Sequence, residues 1–366
     1  MRTVFKTSYD ADINLFRHPQ QMGWYLALFA LALALPLLLS NFALGEATNV
    51  LIWAIACMGL MILVGQSGQA SLGHAAFLAI GCYANILLQT RLGVPFLISF
   101  PLAGLIAGVA GALIAMPMTK LHGIYLAIGT IAVVILVEDF IVIATPLTNG
   151  VIGLVAPPIQ IFGLVIDRYS TPNLLYYLTL GITLLVVLLY RNLLRSPLGR
   201  SFAAIRDSEI SAQAMGVNVA RTKTVAFGIS SGITGLAGAL MGHYAGIFNN
   251  ETFNLIISIQ LLLAIVIGGL GSIHGAFFGA AVVAMLPQSI AVARDFLTRM
   301  IGGGSIAIPG METAIFGLIL ILFILFEPMG IYGRWVKIRT YFELFPFYRK
   351  DMFRRQKAYL KTERMR

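Results

Sequence analysis

Long apolar runs separated by short polar joints dominate the chain. Read for stretches of roughly 20 residues, they predict about ten membrane-spanning helices. These are Trp24–Ser40, Val50–Val64, Gly73–Leu88, Phe96–Met118, Ile124–Ala144, Leu174–Leu194, Thr224–Gly246, Phe253–Leu270, Gly275–Ala293 and Ile306–Phe326. The joint between the second and third runs is unusual. Gly65-Gln66-Ser67-Gly68-Gln69-Ala70-Ser71-Leu72-Gly73-His74 is too polar and too Gly-rich for a helix facing lipid. Irregular backbone at membrane depth is stable only within protein or beside a water-filled cavity. The joint therefore predicts either a broken helix of the kind transporters use at their pathways or a tight cytoplasmic turn. After the fifth run, Thr145 to Asn173 carries Pro146, Pro157, Pro158 and Pro172, which predicts a structured outer loop rather than a helix. The largest inner loop, Arg191 to Lys223, contains two short helical turns after Pro197 and Gly199, the second stopping near Gly216-Val217-Asn218.

Composition narrows the class further. Of 366 residues, 58% are hydrophobic and 11% charged, whereas a soluble domain carries about 25% charged residues. Disorder, collagen and a disulfide scaffold are excluded by the apolar content, the aperiodic glycines and the two cysteines. The predicted fold class is an all-α polytopic membrane helix bundle. A net charge of +10 on a soluble protein would suggest nucleic acid; here the basic residues sort by side instead. With a cytoplasmic N-terminus, only Arg91, Arg168, Arg294 and Arg299 fall outside. The positive-inside rule then predicts two cytoplasmic termini and an even number of spans. A cleaved leader is not expected, because Asn41-Phe42-Ala43-Leu44-Gly45 is a weak cleavage site. The expected organisation is a cytoplasmic segment over 1–23, a transmembrane domain over 24–333 and a basic cytoplasmic tail over 334–366. That tail interleaves aromatic and basic residues, a pattern that suits the anionic inner leaflet, so membrane lipid is an expected partner.

The chemistry is largely one of absences. There is no G-x-x-x-x-G-K-[ST] phosphate loop and no H-E-x-x-H zinc motif. Gly228-Ile229-Ser230-Ser231-Gly232 matches G-x-S-x-G literally, but that motif needs a strand–turn–helix elbow and this copy lies inside a membrane run. Ser67, with His74, His243 or His274, resembles the site of rhomboid-type intramembrane proteases; membrane Ser and His more often join helices by hydrogen bonds. Cys57 and Cys82 lie inside apolar runs and read as buried thiols. No catalytic residue, metal ligand or cofactor is assigned. Glycines recur at four-residue steps: Gly104 and Gly108; Gly228 and Gly232; Gly238, Gly242 and Gly246; Gly271, Gly275 and Gly279. That spacing lets helix backbones approach closely, either as plain packing or around a translocation path. Glu138, Asp139 and Glu312, carboxylates within or near apolar runs, are candidates for an ion-coupled secondary transporter. In the inner loop, Ala212, Ala214 and Gly216 are small while Arg206, Asp207 and Glu209 are charged. A short helix of this kind suits a groove on a cytoplasmic partner; the bland alternative is a solvated connector.

At this loop the chain resembles a known family. Residues 199 to 218, G-R-S-F-A-A-I-R-D-S-E-I-S-A-Q-A-M-G-V-N, are similar to the coupling loop of branched-chain amino-acid ABC transporter permeases of the LivM type. Gly68-Gln69-Ala70-Ser71-Leu72-Gly73-His74-Ala75-Ala76-Phe77 resembles that family's G-Q-x-S-L-G-H-A-A-F motif. His122-Gly123-Ile124-Tyr125, Thr148-Asn149-Gly150, Gly235-Leu236-Ala237-Gly238 and Gly268-Gly269-Leu270-Gly271 resemble further blocks in the same order. The resemblance implies a permease subunit of an ATP-driven, binding-protein-dependent importer in a bacterial inner membrane, with the roughly ten-helix type II importer bundle. Two ABC ATPase subunits, a homologous second permease and a periplasmic substrate-binding protein would be its partners. Branched-chain amino acids are the implied cargo, with urea or short amides as an alternative within the family. The coupling helix would hold Arg206, Asp207, Glu209, Ala212, Ala214 and Gly216. Pathway or packing positions would be Gln69, Ser71, His74, Asn149, Gly238, Gly242, Gly269 and Gly271. The loop departs from the E-A-A-x-x-x-G form, because Glu209 stands three residues before Ala212 and no I-x-L-P follows. His122 stands where the family often has Arg.

Overall fold

The structure is a computed structural model that describes residues 19–121, 123–301, 311–326 and 330–344. Helices account for nearly all of it. Five long ones precede the outer loop: α1 (Pro19–Leu38), α2 (Asn41–Met61), α3 (His74–Leu92), α4 (Phe96–Met118) and α5 (Ile124–Ile143). After the loop come α6 (Pro172–Arg195), two short helices α7 (Pro197–Asp207) and α8 (Glu209–Ala214), and the long α9 (Val219–Ala245). The C-terminal part holds α10 (Leu255–Gly268), α11 (Ile273–Ile301), α12 (Met311–Phe326) and α13 (Gly330–Leu344). Among the described residues eight helices are long and apolar enough to cross a membrane, and a shorter apolar helix covers Met22–Leu38. The protein is thus a multi-pass, all-α membrane bundle. The tenth predicted run corresponds to α12, which begins at Met311; the part of that run before Met311 lies outside the described residues.

One predicted boundary moves by more than two helical turns. The second span begins at Asn41 rather than Val50, because Ser40 caps the helix by accepting from Ala43 N. Asn41 to Gly45, read in sequence as a weak cleavage site, is therefore the first turn of α2. The third helix begins at His74, as the polar joint required.

Packing centres on α2 and α9. The stretch Asn41–Gln66 is 72% buried inside the bundle, and Val219–Ala245 61%. By contrast, Phe96–Met118 and Ile124–Ile143 are each 28% buried, and their outward Leu, Ile and Val side chains form an apolar belt. The glycine steps of α4 and α9 face one another: a Cβ on Gly108 would meet the Gly228 carbonyl, and one on Gly232 the Gly104 carbonyl. This stripe is helix packing within the chain. α1 lies along α6, where Tyr176 and Tyr177 donate to the carbonyls of Ala32 and Leu33 at 2.8 and 3.0 Å.

The outer loop is structured without a long helix, as its prolines predict. A single helical turn at Thr145–Thr148 leads to β1 (Leu154–Val155), β2 (Ile159–Ile161) and β3 (Leu164–Ile166). β2 and β3 form a hairpin, while β1 pairs antiparallel with β4 (Ile247–Phe248) beyond α9. These strands are too short to leave a periodic signal in sequence.

Candidate functional site

The polar joint after α2 is a buried break in the membrane domain. α2 ends in a π-helical turn, Ile62–Gln66, a form frequent at functional sites. Gln66 Nε2 donates to Tyr190 OH at 3.2 Å and to the Gly271 carbonyl at 3.0 Å. The chain then reverses into the bundle. His74 Nε2 lies 2.7 Å from Ser230 Oγ, and Ser230 Oγ donates to the Gly59 carbonyl at 2.7 Å. Gly59 is two helical turns before Gln66, so residues 67–73 climb back about 10 Å along α2. Leu72 N donates to Thr130 Oγ1 at 2.9 Å, and Ala75 N to Ser258 Oγ at 2.9 Å. α3 therefore starts inside the bundle, next to the first turn of α10. Two interrupted helices meet there by their N-termini.

The polar side chains of this break bond one another and the surrounding helices. Ser67 Oγ donates to the Leu63 carbonyl at 2.7 Å and accepts from Gln69 Nε2 at 2.9 Å. Ser71 Oγ lies 2.9 Å from His74 Nδ1. One assignment uses every proton: Ser71 donates to Nδ1, Nε2–H donates to Ser230, and Ser230 donates to Gly59. A nucleophilic serine would have to donate to the imidazole, and Ser230 is fully buried. The geometry thus makes the His74–Ser230 pair a structural joint. Phe77 and Phe227 close around the ring, with centroids 5.7 and 6.1 Å from it. Side chains alternate along the break: Ser67, Gln69 and Ser71 are buried, while Gly68 and Ala70 are exposed.

A second polar cluster sits at the outer end. His243 Nδ1 donates to the Pro157 carbonyl at 3.0 Å, so its Nε2 accepts from Asn85 Nδ2 at 2.9 Å and Gln89 Nε2 at 3.2 Å. Ser99 Oγ donates to Asn85 Oδ1 at 2.8 Å. The cluster ties α3, α4 and α9 to the outer loop. Asn149 caps the turn at the end of α5 in a left-handed conformation, φ 61°, and is exposed, apart from both clusters.

At the other end, α7 and α8 form the inner loop. Ser196 and Ser208 cap them by accepting from Gly199 N and Ser211 N. Gly216, at φ 85°, ends the pair where the sequence predicted. Ala212 packs against its own chain at 3% exposure, while Ile210 and Met215 stand out at 84% and 88%; Ala214 is also exposed. A cleft of about 510 Å³ beside them is lined by Thr119, Glu209, Gln213, Gly216, Val217 and Asn218, among others. Beside the buried Phe202 and Ile205, two polar contacts tie the loop inward. Arg206 Nη1 donates to the Gly65 carbonyl at 3.2 Å, and the guanidinium also pairs with Asp207 at 3.2 Å. Glu209 Oε1 lies 2.7 Å from Lys223 Nζ, whose side chain is only 4% exposed.

The comparisons with known proteins agree on one family. Residues 42–324 match the family described as branched-chain amino acid transport system / permease component. The chain belongs to this permease family. It is 32% identical to the high-affinity branched-chain amino acid transport system permease protein LivM of Salmonella typhimurium, over 78% of this chain and 72% of that one. LivM of Escherichia coli matches at the same identity and coverage. BraD of Pseudomonas aeruginosa, a permease protein of a similarly named system, is 25% identical over 77% of this chain and 92% of its own. No solved structure is a significant match.

In this permease the sequence-predicted pathway residues other than Asn149 fall into three places. Gln69, Ser71 and His74 meet at the break. Gly238 and Gly242 lie against α3, where added Cβ atoms would meet the Leu78 carbonyl and Cys82 Sγ. Gly269 and Gly271, at φ 113° and 82°, form the turn between α10 and α11, against the π-helical end of α2. Glu138 is half-buried and Asp139 exposed, both in the outer part of α5, which continues to Ile143. The side chain of Glu312, and all of His122, lie outside the described residues. Sequence reading missed Thr130, Tyr190 and Ser258, the partners of the break. It also missed Asn85 and Gln89, although two amide side chains four apart in an apolar run were a usable signal. Ser230 was visible only as a decoy motif, and Lys223 only as a topology marker.

Proposed function

We propose that the chain is a membrane-spanning subunit of an ATP-driven importer that carries branched-chain amino acids across a bacterial inner membrane. A periplasmic binding protein would deliver the cargo, a homologous second permease would complete the pathway, and two ABC ATPase subunits would drive it. The observation that carries this reading is the inner loop. α7 and α8 present Ile210 and Met215 to the outside and are braced from behind by Arg206 and the Glu209–Lys223 pair. That is a rigid apolar projection backed by the bundle, suited to the cleft of a driving subunit. The relatives' names support the cargo. Urea or a short amide is the alternative cargo within the same family.

The bundle itself needs no chemical step. ATP binding and hydrolysis in the partners would pull and release α7 and α8, and the bundle would alternate between two packings. The tail beyond Leu344 lies outside the described residues; its proposed seat is the anionic inner leaflet.

The test uses the complete complex in nanodiscs. Binding protein loaded with leucine, isoleucine or valine should stimulate ATP hydrolysis, and urea or acetamide should not. Stimulation by urea or acetamide alone would move the cargo to that class. No stimulation by any loaded binding protein would reject the importer reading.

A further inference from the structure

Two separate links run from the inner loop to the same buried joint. The first starts at Arg206. Its guanidinium holds the Gly65 carbonyl, the last turn before the break. Its side chain and backbone lie over Gly68, where a Cβ would come within 3.0 Å of Cγ. Gly68 is at φ 70°, so the chain turns back into the bundle directly beneath Arg206. From there residues 69–73 lead to His74. The second link starts at Glu209, which pairs with Lys223 in the second turn of α9. Two turns further along α9, Ser230 bonds His74. Both links end at one imidazole.

Given an importer permease driven by partner ATPases, as proposed above, we propose that the re-entrant segment 67–73 is the element the inner loop moves. Arg206 is its positioning residue and the His74–Ser230 bond its fixed end. Three observations support a moving part here. The segment makes no regular secondary structure between α2 and α3. Within it Ala70 is exposed. The hydrogen bond from Arg206 to the Gly65 carbonyl links the inner loop to the start of the segment, whereas the outer end of α3 is held by the cluster around His243. A displacement of α7 therefore acts directly on Gly65 and Gly68, through the side chain of Arg206. Arg206 reaches toward Gly65, whereas Ile210 and Met215 project, so its removal deletes neither of the projecting side chains.

The experiment reads the segment directly in the assembled complex. Ala70→Cys adds a thiol at this exposed position, and the native Cys57 and Cys82 are fully buried and silent. The labelling rate of the introduced thiol, with a water-soluble maleimide, should differ between nucleotide-free and ATP-trapped complexes by about tenfold, a typical coupling factor. When Arg206→Ala is added, that difference should fall below about twofold, and uptake per ATP should fall with it. Hydrolysis and co-purification of the ATPases should persist. Arg206→Lys, which keeps the charge and loses part of the reach, should be intermediate. Full ATP-dependent labelling in Arg206→Ala would overturn the proposal. So would equal labelling in both states of the complex that retains Arg206. Loss of ATPase co-purification in Arg206→Ala would overturn it too and make Arg206 a docking residue instead. If the unaltered complex shows no ATP-dependent uptake, the importer reading fails rather than this assignment.

Discussion

A methyl group at Gly238 would press on the backbone of Leu78, carbonyl included, whereas one at Gly242 would meet the Cys82 sulfur and the end of Ile86. Backbone inside a packed bundle cannot give way, but side chains can. Gly238→Ala is therefore expected to lose about 2–3 kcal/mol and Gly242→Ala clearly less. Thermal unfolding in detergent checks the order, and equal losses would contradict the packing described. The Glu209–Lys223 pair makes a second residue-scale prediction. Lys223→Met removes the buried charge and leaves Glu209, which is half-exposed, within reach of solvent. Glu209→Gln instead strands a buried ammonium, at a cost of about 3 kcal/mol. Glu209→Gln should be the more damaging of the two, by the same measurement. Such pairings were invisible in the sequence. Glu209 and Lys223 lie 14 positions apart, and nothing in the residue pattern says that α8 folds back onto α9. The Ser230 pairing with His74 spans far more chain still.

Elements were more legible than contacts. Nearly every predicted membrane run corresponds to a helix, because unbroken apolar length leaves few alternatives in lipid. The inner loop's two helices followed from Pro197, Gly199 and Gly216. The break was legible as an anomaly, since the polar run from Gly65 to His74 cannot face lipid; its direction was not. Whether it turned outside or climbed inward depended on Ser230, Thr130 and Ser258, on three other elements. Ala212 shows the same limit. Its small side chain suited a docking surface, yet it packs inward, and Ile210 and Met215 project. Ile210→Asp with Met215→Asp should therefore abolish stimulated ATP hydrolysis while leaving the folded chain in the membrane. Ala212→Arg should reduce the amount of folded protein, because the guanidinium has no space. Normal hydrolysis in the double variant would show that the ATPases engage elsewhere.

At the scale of the molecule, two polar clusters stand out within the described apolar bundle. The outer one fixes α3, α4 and α9 to the outer loop; the inner one joins α2, α3, α5, α9 and α10 around His74. Between them the helices meet through glycines and small side chains, which permit close sliding. That arrangement suits alternation between two packings, and in the proposed reading its drive comes from the face where α7 and α8 project. The rival is an ion-coupled transporter using Glu138 or Asp139, both near the outer end of α5. The tail adds a separate expectation. Removing residues 349–366 should leave uptake largely intact if the tail rests on lipid, and loss of ATP coupling would place it on the ATPase instead.

The most direct measurement is uptake of labelled leucine by proteoliposomes that contain the complete complex, with binding protein in the external medium and ATP in the lumen. Uptake should require both ATP and binding protein and should continue when proton and sodium gradients are collapsed. Uptake that persists without ATP and stops with the gradients would contradict the account.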